Sequence, residues 1–436
     1  MGEAPDQPRN DRARPGPVRR MADVLVRALP VASLSRLHDV IRSTFWLVPA
    51  VCVASAIGLA IGLVTLDEAL PATHAAVVFP GPAPGARTFL SSVIQAMISF
   101  TGLVFSITIV VLQLSSGQFS PRVLRMFLGD RTIQFTLGVF VATFVYAMVV
   151  LRSVGGGSGS GGFVPRIAVT VAFGFVLASV ALFISYISHV ANLIRVATII
   201  THIGRQARRI LDRRYPAATA GTPATASFPP PARTIPAPRG AVLVSVNEMA
   251  LVEMAAQAGG VLVLAARVGD FVPAGAPLVV VHHEPGAGSG RLDATAARAL
   301  KALAWDTERS MEQDLAFGFR QLVDIAERAL SPAVNDPTTA VQAIDVLHDL
   351  LRALAARELP DGRWRDGTGQ LRLVVPQYRF ADFLDLAVGE IWRYGADAAQ
   401  VPGRLAAMLA DLHTAALPAH RPAIAAWSQQ VKAGRP

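Results

Sequence analysis

Three charged residues recur at every fourth position in the C-terminal half of the chain: Arg320, Asp324 and Arg328. They fall on one face of a predicted helix, Arg309–Leu330, whose other face carries an apolar stripe. A carboxylate between two guanidinium groups can hold a polar ligand, but it more often belongs to a row of structural ion pairs. The spacing leaves a ligand or ion-pair site open at this position.

Two further polar residues, Asn335 and Asp336, follow the end of that helix at Ser331-Pro332. Asp336 precedes Pro337 and is predicted to be the N-cap of the next helix, whose free N–H groups favour anions. The Asp336 carboxylate would itself occupy those donors, which argues against an anionic ligand. Together with Asp324, these residues are the candidate site of a ligand sensor or enzyme. No nucleophile and base stand at a recognisable spacing, so a non-enzymatic role is favoured.

A second group of polar and small residues lies within a long apolar run. Spacings of four, three, four and seven residues place the group on one helical face. Its members are Gln95, Ser99, Gly102, Ser106 and Gln113. Such a face either packs closely against another membrane helix or lines a wet pathway, and close packing is the commoner use.

Basic residues follow this run at Arg122, Arg125 and Arg131. A short helix lying on the inner leaflet would bring them to lipid phosphates. An ordinary basic connector between two spans would have the same composition.

The elements that must position these residues are set by four apolar runs. Each run has about the 20 residues that a helix needs to cross a hydrocarbon core, without an Asp, Glu, Lys or Arg. The runs are Phe45–Leu66, Phe89–Leu114, Ile133–Leu151 and Ile167–Ile187. The sequence therefore predicts a four-span α-helical membrane bundle.

Arginine placement predicts the orientation of this bundle. Arginines cluster before the first run, between the second and third runs, and after the fourth, whereas the other two loops carry few. The positive-inside rule then places both termini of this multi-pass protein in the cytoplasm.

The net charge of +9 divides unevenly along the chain. Residues 1–239 hold 22 Arg and 9 acidic residues, a net +13, whereas residues 240–436 hold 18 basic and 22 acidic residues, a net −4. The positive excess lies beside the membrane, where it attracts anionic lipid, so the lipid bilayer is the expected partner and nucleic acid is not. Cys52 is the only cysteine, which excludes a cysteine-based metal site, and no metal or cofactor is predicted.

Composition shifts divide the chain into five segments. A basic, largely disordered tail (1–40) precedes the four-helix transmembrane domain (41–195) and a basic, Pro/Ala-rich linker (196–239). A small β-rich subdomain (240–284) and a mainly helical subdomain (285–436) follow, so the predicted fold is a helical membrane bundle with a cytoplasmic α+β domain. Met21 is an alternative start to Met1.

Three long segments of this chain resemble a known family. Ser106–Leu151, the GDFVPAGAPL motif from Gly269 and the QLVDIAERALSPAVNDPTTA motif from Gln321 are similar to the bacterial predicted membrane proteins catalogued as domain of unknown function 2254. The resemblance extends from about Arg42 to Tyr394. It implies a membrane protein of this topology and implies no particular activity.

The leading hypothesis is an integral inner-membrane protein with a channel-like or transport role, regulated by its cytoplasmic domain. Four spans per subunit can enclose a pore lined by the second span only in a homo-oligomer. The alternative is a membrane-anchored ligand sensor or enzyme that uses the cytoplasmic domain.

Overall fold

A computed structural model describes residues 46–69, 79–118, 130–155, 163–193, 195–216, 231–283 and 298–434, without the side chains of 114–118 and 193. The predicted lipid contacts of Arg122 and Arg125 lie outside these residues. Arg131 is described, and it is the first residue of a helix capped by Asp130, whose carboxylate accepts from the N–H groups of Thr132 and Ile133.

Four helices at the start of the described chain are long and apolar enough to cross a membrane, which confirms the predicted spans. They are α1 (Leu47–Ala69), α2 (Ala83–Gln118), α3 (Arg131–Ser153) and α4 (Arg166–Leu193). Together they form the membrane bundle.

The central helix of the membrane bundle is α3. More than half of its span is buried, whereas less than a quarter of each other span is. Gly138 allows α1 to approach closely, since a Cβ at this position would lie 3.0 Å from Cys52 Sγ. Phe140 packs edge-on against Phe100 of α2, with ring centroids 5.5 Å apart. The other three spans are therefore arranged around α3, and α2 keeps a wide outer face.

The segment expected to begin the linker forms a helix instead, α5 (Val196–Arg214). Sequence composition suggested a connector because of the many arginines, but apolar residues recur at helical spacing between them. The buried residues of α5 are Ile199, Ile200, Ile203, Gly204, Ala207, Ile210 and Leu211. The predicted linker is thus wrong for Val196–Arg214, which joins the membrane bundle directly to the C-terminal domain.

A helical layer packs on the buried face of α5. It contains α7 (Leu315–Leu330), α8 (Pro337–Ala355), α9 (Phe380–Gly395), α10 (Val401–Ala415) and α11 (Arg421–Lys432). Phe319 of α7 is fully buried and contacts Phe383 of α9, with ring centroids 5.1 Å apart. Close approach of α5 is possible because Gly318 faces Ala207 and Gly204 faces Val346.

Two sheets share a second hydrophobic core, which also includes residues of α6 (Glu248–Ala258). The strands are β1 (Pro231–Pro236), β2 (Ala241–Val246), β3 (Gly260–Leu264), β4 (Phe271–Val272), β5 (Pro277–His283), β6 (Leu303–Asp306), β7 (Arg363–Arg365) and β8 (Leu371–Val374). One sheet has the order β1-β5-β3-β8-β7 and the other the order β4-β2-β6.

Strand pairing crosses the boundary that composition suggested at residues 284 and 285. Strand β8 pairs in parallel with β3, and β6 pairs antiparallel with β2. Strand β1 lies within the expected linker and forms an edge of the larger sheet. The predicted β-rich and helical subdomains therefore share their sheets, since periodicity reports local structure and long-range pairing brings these strands together.

Candidate functional site

The polar residues of α2 form an outward-facing stripe. All five members, Gln95, Ser99, Gly102, Ser106 and Gln113, are exposed. The buried residues of α2 are Ala86, Leu90, Val93, Met97, Val104 and Val111. At about 100° per residue, these two sets are centred about 180° apart around the helix axis. The polar stripe therefore faces directly away from the membrane bundle.

Large apolar side chains flank the polar stripe on both sides. Ile98, Phe105 and Ile109 lie on one side, and Leu103 and Val110 on the other; all five are exposed. Gln95 follows Arg87 by eight residues, or about 12 Å along the axis. Arg87 donates to the carbonyl oxygen of Val154 at the end of α3, 2.8 Å away. The Gln95 amide thus lies well inside the apolar span.

Other polar groups of the membrane bundle turn inward and have partners there. Thr108 bonds to the Tyr186 hydroxyl of α4 (2.5 Å) and donates to the Val104 carbonyl. Thr143 and Ser179 are hydrogen-bonded at 3.2 Å, and Tyr146 donates to the carbonyl of Ala168. These contacts tie α4 to α2 and α3. The inner polar groups are therefore structural cross-links between spans.

Two carboxylates connect helices of the membrane bundle, one at each end of the bundle. Asp67 at the end of α1 accepts from the N–H groups of Ile167 and Ala168, so it caps the start of α4. At the opposite end, the capping carboxylate Asp130 also contacts His189 Nε2 of α4 at 3.0 Å. We call this second end the His189 end.

The charged residues of α7 take part in a group that extends beyond the predicted row to α9. Arg320 lies between three carboxylates: Nε bonds to Asp324 at 2.5 Å, and the two terminal nitrogens contact Glu327 (2.9 Å) and Glu390. We call these four residues the Arg320 cluster. Arg328 is exposed on the same helix. A guanidinium held by three carboxylates has little capacity left for an anionic ligand.

Burial gives the Arg320 cluster unusual titration behaviour. Burial, and then the hydrogen bond and charge of Glu390, raise the pKa of Glu327 to about 7. Burial opposes ionisation of Glu390 as well, but hydrogen bonds from Glu327 and Arg320 lower its pKa below the ordinary value. The two carboxyl groups therefore share one proton near neutral pH.

Asn335 and Asp336 occupy the turn between α7 and α8. Asp336 accepts from the Thr339 N–H (3.1 Å) and hydroxyl (2.6 Å), which confirms the predicted cap and lowers its pKa. Asn335 has φ 47°, in the left-handed region. Asp324 lies about 9 Å along the axis before Leu330, so the turn and the Arg320 cluster are separate places.

Sequence reasoning missed two features of the C-terminal domain. The Arg320 cluster takes Glu390 from α9, which no local spacing could reveal. Asp314, which caps α7, is buried and bonds to Arg309 Nε at 2.8 Å. Gly269 lies against that carboxylate with φ 97°, where a Cβ would meet Asp314 Oδ2. This close contact explains why the Gly-Asp turn carries glycine.

Comparisons with known proteins agree on one family. Residues 42–411 match the sequence profile of the family described as predicted membrane protein (DUF2254). Uncharacterised proteins of Mycobacterium tuberculosis and Mycobacterium bovis are each 34% identical over 379 residues, covering 85% of this chain and 73% of each relative. No solved structure matches the chain.

Proposed function

The chain belongs to the DUF2254 family of predicted membrane proteins, and on that premise we propose that it works as a homo-oligomer with a channel-like role. In this proposal α2 of each copy meets its neighbours around a shared axis. The single observation that carries the proposal is the outward direction of the polar stripe.

Lipid is a poor environment for the polar stripe. A side-chain amide in hydrocarbon loses the hydrogen bonds that water gave it, and this costs several kcal/mol without a compensating partner. The same stripe of a second copy offers such partners. Ser99, Gly102 and Ser106 also have small side chains, which let two helix backbones approach closely. An interface between copies thus accounts for both properties of the stripe.

The interior of one bundle is a less suitable pathway than the junction between copies. Thr143 and Tyr146 are buried there and already have partners: Thr143 is hydrogen-bonded to Ser179, and Tyr146 donates to the backbone carbonyl of Ala168. Rotational symmetry would bring several α2 stripes together, and more than two copies can enclose a polar lumen. Gln95 and Ser106 would then face water or their symmetry mates.

Regulation by the C-terminal domain has a direct mechanical route in this proposal. Helix α5 begins within a few residues of the end of α4, and its buried face contacts α7 and α8. Tyr186 of α4 in turn bonds to Thr108 of α2. A movement of the helical layer would therefore reach α2 through two packed helices.

We also propose that the C-terminal domain lies in the cytoplasm, as the arginine distribution indicates. In cells stripped of any outer membrane, cysteine at Gly157 should react with a membrane-impermeant thiol reagent, whereas cysteine at Gln206 should react only after lysis. Cys52 is first replaced by Ala. The opposite labelling pattern would reverse the orientation.

Cross-linking tests the α2 interface. With Cys52→Ala as background, Ser106→Cys in membranes should form a covalent dimer under mild oxidation. Leu177→Cys is the matched control, because Leu177 is also exposed but lies on a different span, α4. Absence of a Ser106-linked dimer, or equal linking at Leu177, would argue against α2 as the contact between copies.

Conductance tests the channel-like role separately. Purified protein in planar bilayers should pass ions under voltage or tension, and Gln95→Leu should change the conductance or selectivity. Ile109→Leu, on the exposed apolar flank, is the matched control. A protein that cross-links through α2 but never conducts would leave an oligomer without a pore.

We do not propose a ligand-sensing or enzymatic role for Asp324, Asn335 and Asp336. Asp324 is bonded to Arg320, and the Asp336 carboxylate is occupied by Thr339. No observation at these residues favours a ligand.

A further inference from the structure

Three arginines of α5 form a row on its exposed face. Arg205, Arg209 and Arg213 are spaced by four residues, and all three are exposed. At about 100° per residue they lie within about 80° of one another, on the side of the helix away from its buried residues. We call them the basic row.

The basic row differs from the other arginines of α5 in its partners. Arg208 is ion-paired with Asp212 and Asp349, and Arg214 with Glu248. In the part of the chain that the structure describes, the basic row makes no ion pair; Arg213 donates to the backbone carbonyl of Arg209. Three unneutralised positive charges therefore point into the space beside the helix.

The position of α5 in the chain indicates what lies next to the basic row. The helix begins at Val196, and α4 ends at Leu193 at the His189 end of the membrane bundle. Arg195 between them has an extended backbone (φ −67°, ψ 120°), so the helix axis is interrupted and can change direction there. The basic row thus starts close to the lipid headgroups on this side.

Distance favours one orientation of α5. If the helix stood perpendicular to the membrane, Arg213 would lie about 26 Å beyond Val196. The Debye length at physiological ionic strength is about 8 Å, so this charge would have no effect at the lipid surface. If the helix lay along the membrane, all three arginines would reach headgroups together.

We propose that the basic row binds the anionic phospholipid headgroups of the adjacent leaflet, with α5 lying along the membrane surface. The helical layer then covers the opposite, apolar face of α5. Charge complementarity selects this partner, because a straight row of guanidinium groups fits a plane of phosphates. The exposed neighbours Thr201, His202 and Gln206 carry no negative charge, and the acidic residue of α5, Asp212, is ion-paired with Arg208 and Arg357.

Energy transfer to headgroup-labelled lipid tests the proposal on the full chain. A donor dye is attached at Gln206→Cys in a Cys52→Ala background, and the protein is placed in nanodiscs with an acceptor-labelled lipid. Transfer should be higher in discs containing phosphatidylglycerol than in phosphatidylcholine discs. High salt, which shortens the Debye length to about 3 Å at 1 M, should remove that difference. Equal transfer in the two lipids would overturn the proposal.

Charge removal supplies the second arm. The triple variant Arg205→Gln, Arg209→Gln, Arg213→Gln should lose the response to phosphatidylglycerol. The control, Arg239→Gln, Arg298→Gln, Arg365→Gln, removes the same charge from exposed positions elsewhere and should keep it. An unchanged response in the α5 variant would refute the assignment. The salt arm uses the arginines intact, so it decides the question even if the triple variant does not fold.

A nucleic acid is the other polyanion that a basic row could take. Fluorescently labelled RNA is titrated onto the same nanodiscs, with and without the α5 substitutions. RNA binding that depends on the basic row, together with no response to anionic lipid, would replace the lipid by RNA. Absence of such binding together with the lipid response supports the proposal.

Discussion

The Arg320 cluster and the polar stripe of α2 are both polar groups on helices, and their surroundings are opposite. Arg320 is surrounded by three carboxylates from α7 and α9, so its charge is neutralised within one chain. The polar stripe faces away from every helix of its own bundle. Regular spacing identifies residues that share a face, and it does not say what that face contacts. The Arg320 cluster is therefore structural, whereas the polar stripe is the surface that we propose as the contact between copies.

The largest expected effect on stability comes from removing the cation of the Arg320 cluster. Arg320→Gln would leave Asp324, Glu327 and Glu390 together without their common cation. Breaking such partly buried ion pairs from one side should cost about 2–3 kcal/mol, after allowance for solvent screening. Four of the five tryptophans lie beyond residue 300, so tryptophan fluorescence can follow thermal unfolding of the C-terminal domain.

Arg379→Gln is the matched control for this change. Arg379 is ion-paired with Asp382, but its side chain is 82% exposed, so its loss should barely move the midpoint. Equal midpoints for the two variants would mean that the Arg320 cluster contributes nothing to stability. The structural role of the Arg320 cluster would then be refuted.

A smaller effect should follow pH through Glu327. Its pKa is raised in the folded protein from 4.5 to about 7. The protonated form is therefore favoured by folding: this stabilisation is complete below pH 4.5 and is lost as pH rises through about 7. Because solvent screening weakens the electrostatics of these partly exposed carboxyl groups, the change should be about 1–2 kcal/mol.

Glu327→Gln isolates this contribution. The variant keeps a hydrogen-bonding side chain and cannot ionise, so the unfolding midpoint should fall less between pH 5 and pH 8 than it does with Glu327 present. Identical pH profiles would show that Glu327 does not carry the shared proton.

Much of the fold follows from local sequence, and the exceptions share one cause. The four spans and the Asp336 cap were predictable because apolar length and capping chemistry are local signals. Helix α5 was missed because its arginines dominate its composition, although Ile203, Ala207 and Ile210 already show helical spacing. The pairing of strand β8 could not be predicted because its partner β3 is more than a hundred residues earlier in the chain.

The candidate sites were predictable to a different degree. The polar stripe needed only a helical period, and the structure adds its direction. The Arg320 cluster was predicted in part, because Asp324 is a local neighbour and Glu390 is not. Whether a polar face finds its partners within the chain depends on packing between helices that are distant in sequence. Residue spacing carries no information on such packing.

A matched pair on α2 sharpens the contrast within one helix. Thr108 faces inward to Tyr186, and Ser106, two residues earlier, faces outward. Thr108→Val removes a hydrogen bond between spans and should cost the membrane bundle about 1 kcal/mol in detergent unfolding. Ser106→Ala should leave that unfolding unchanged. In membranes, only Ser106→Ala should weaken energy transfer between copies labelled with donor and acceptor dyes, and a similar loss in both variants would contradict the two-faced description.

The smallest expected effect concerns the turn before α8, where a structural cap and a ligand site predict different outcomes. Asn is nearly as good an N-cap as Asp, so Asp336→Asn should change the unfolding midpoint by no more than a few tenths of a kcal/mol, whereas Asp336→Ala should cost about 1 kcal/mol. The lowered pKa of Asp336, caused by its hydrogen bonds from Thr339, adds a contribution to stability that is present above the unfolded pKa and is lost as pH falls through the lower folded value. Asp336→Asn lacks this contribution at neutral pH, so its stability should fall less than that of the unsubstituted protein as pH drops through this range. If Asp336→Asn instead left folding intact but abolished conductance, the negative charge of Asp336 would have a role beyond capping α8. The turn before α8 would then be a functional site and not only a structural one.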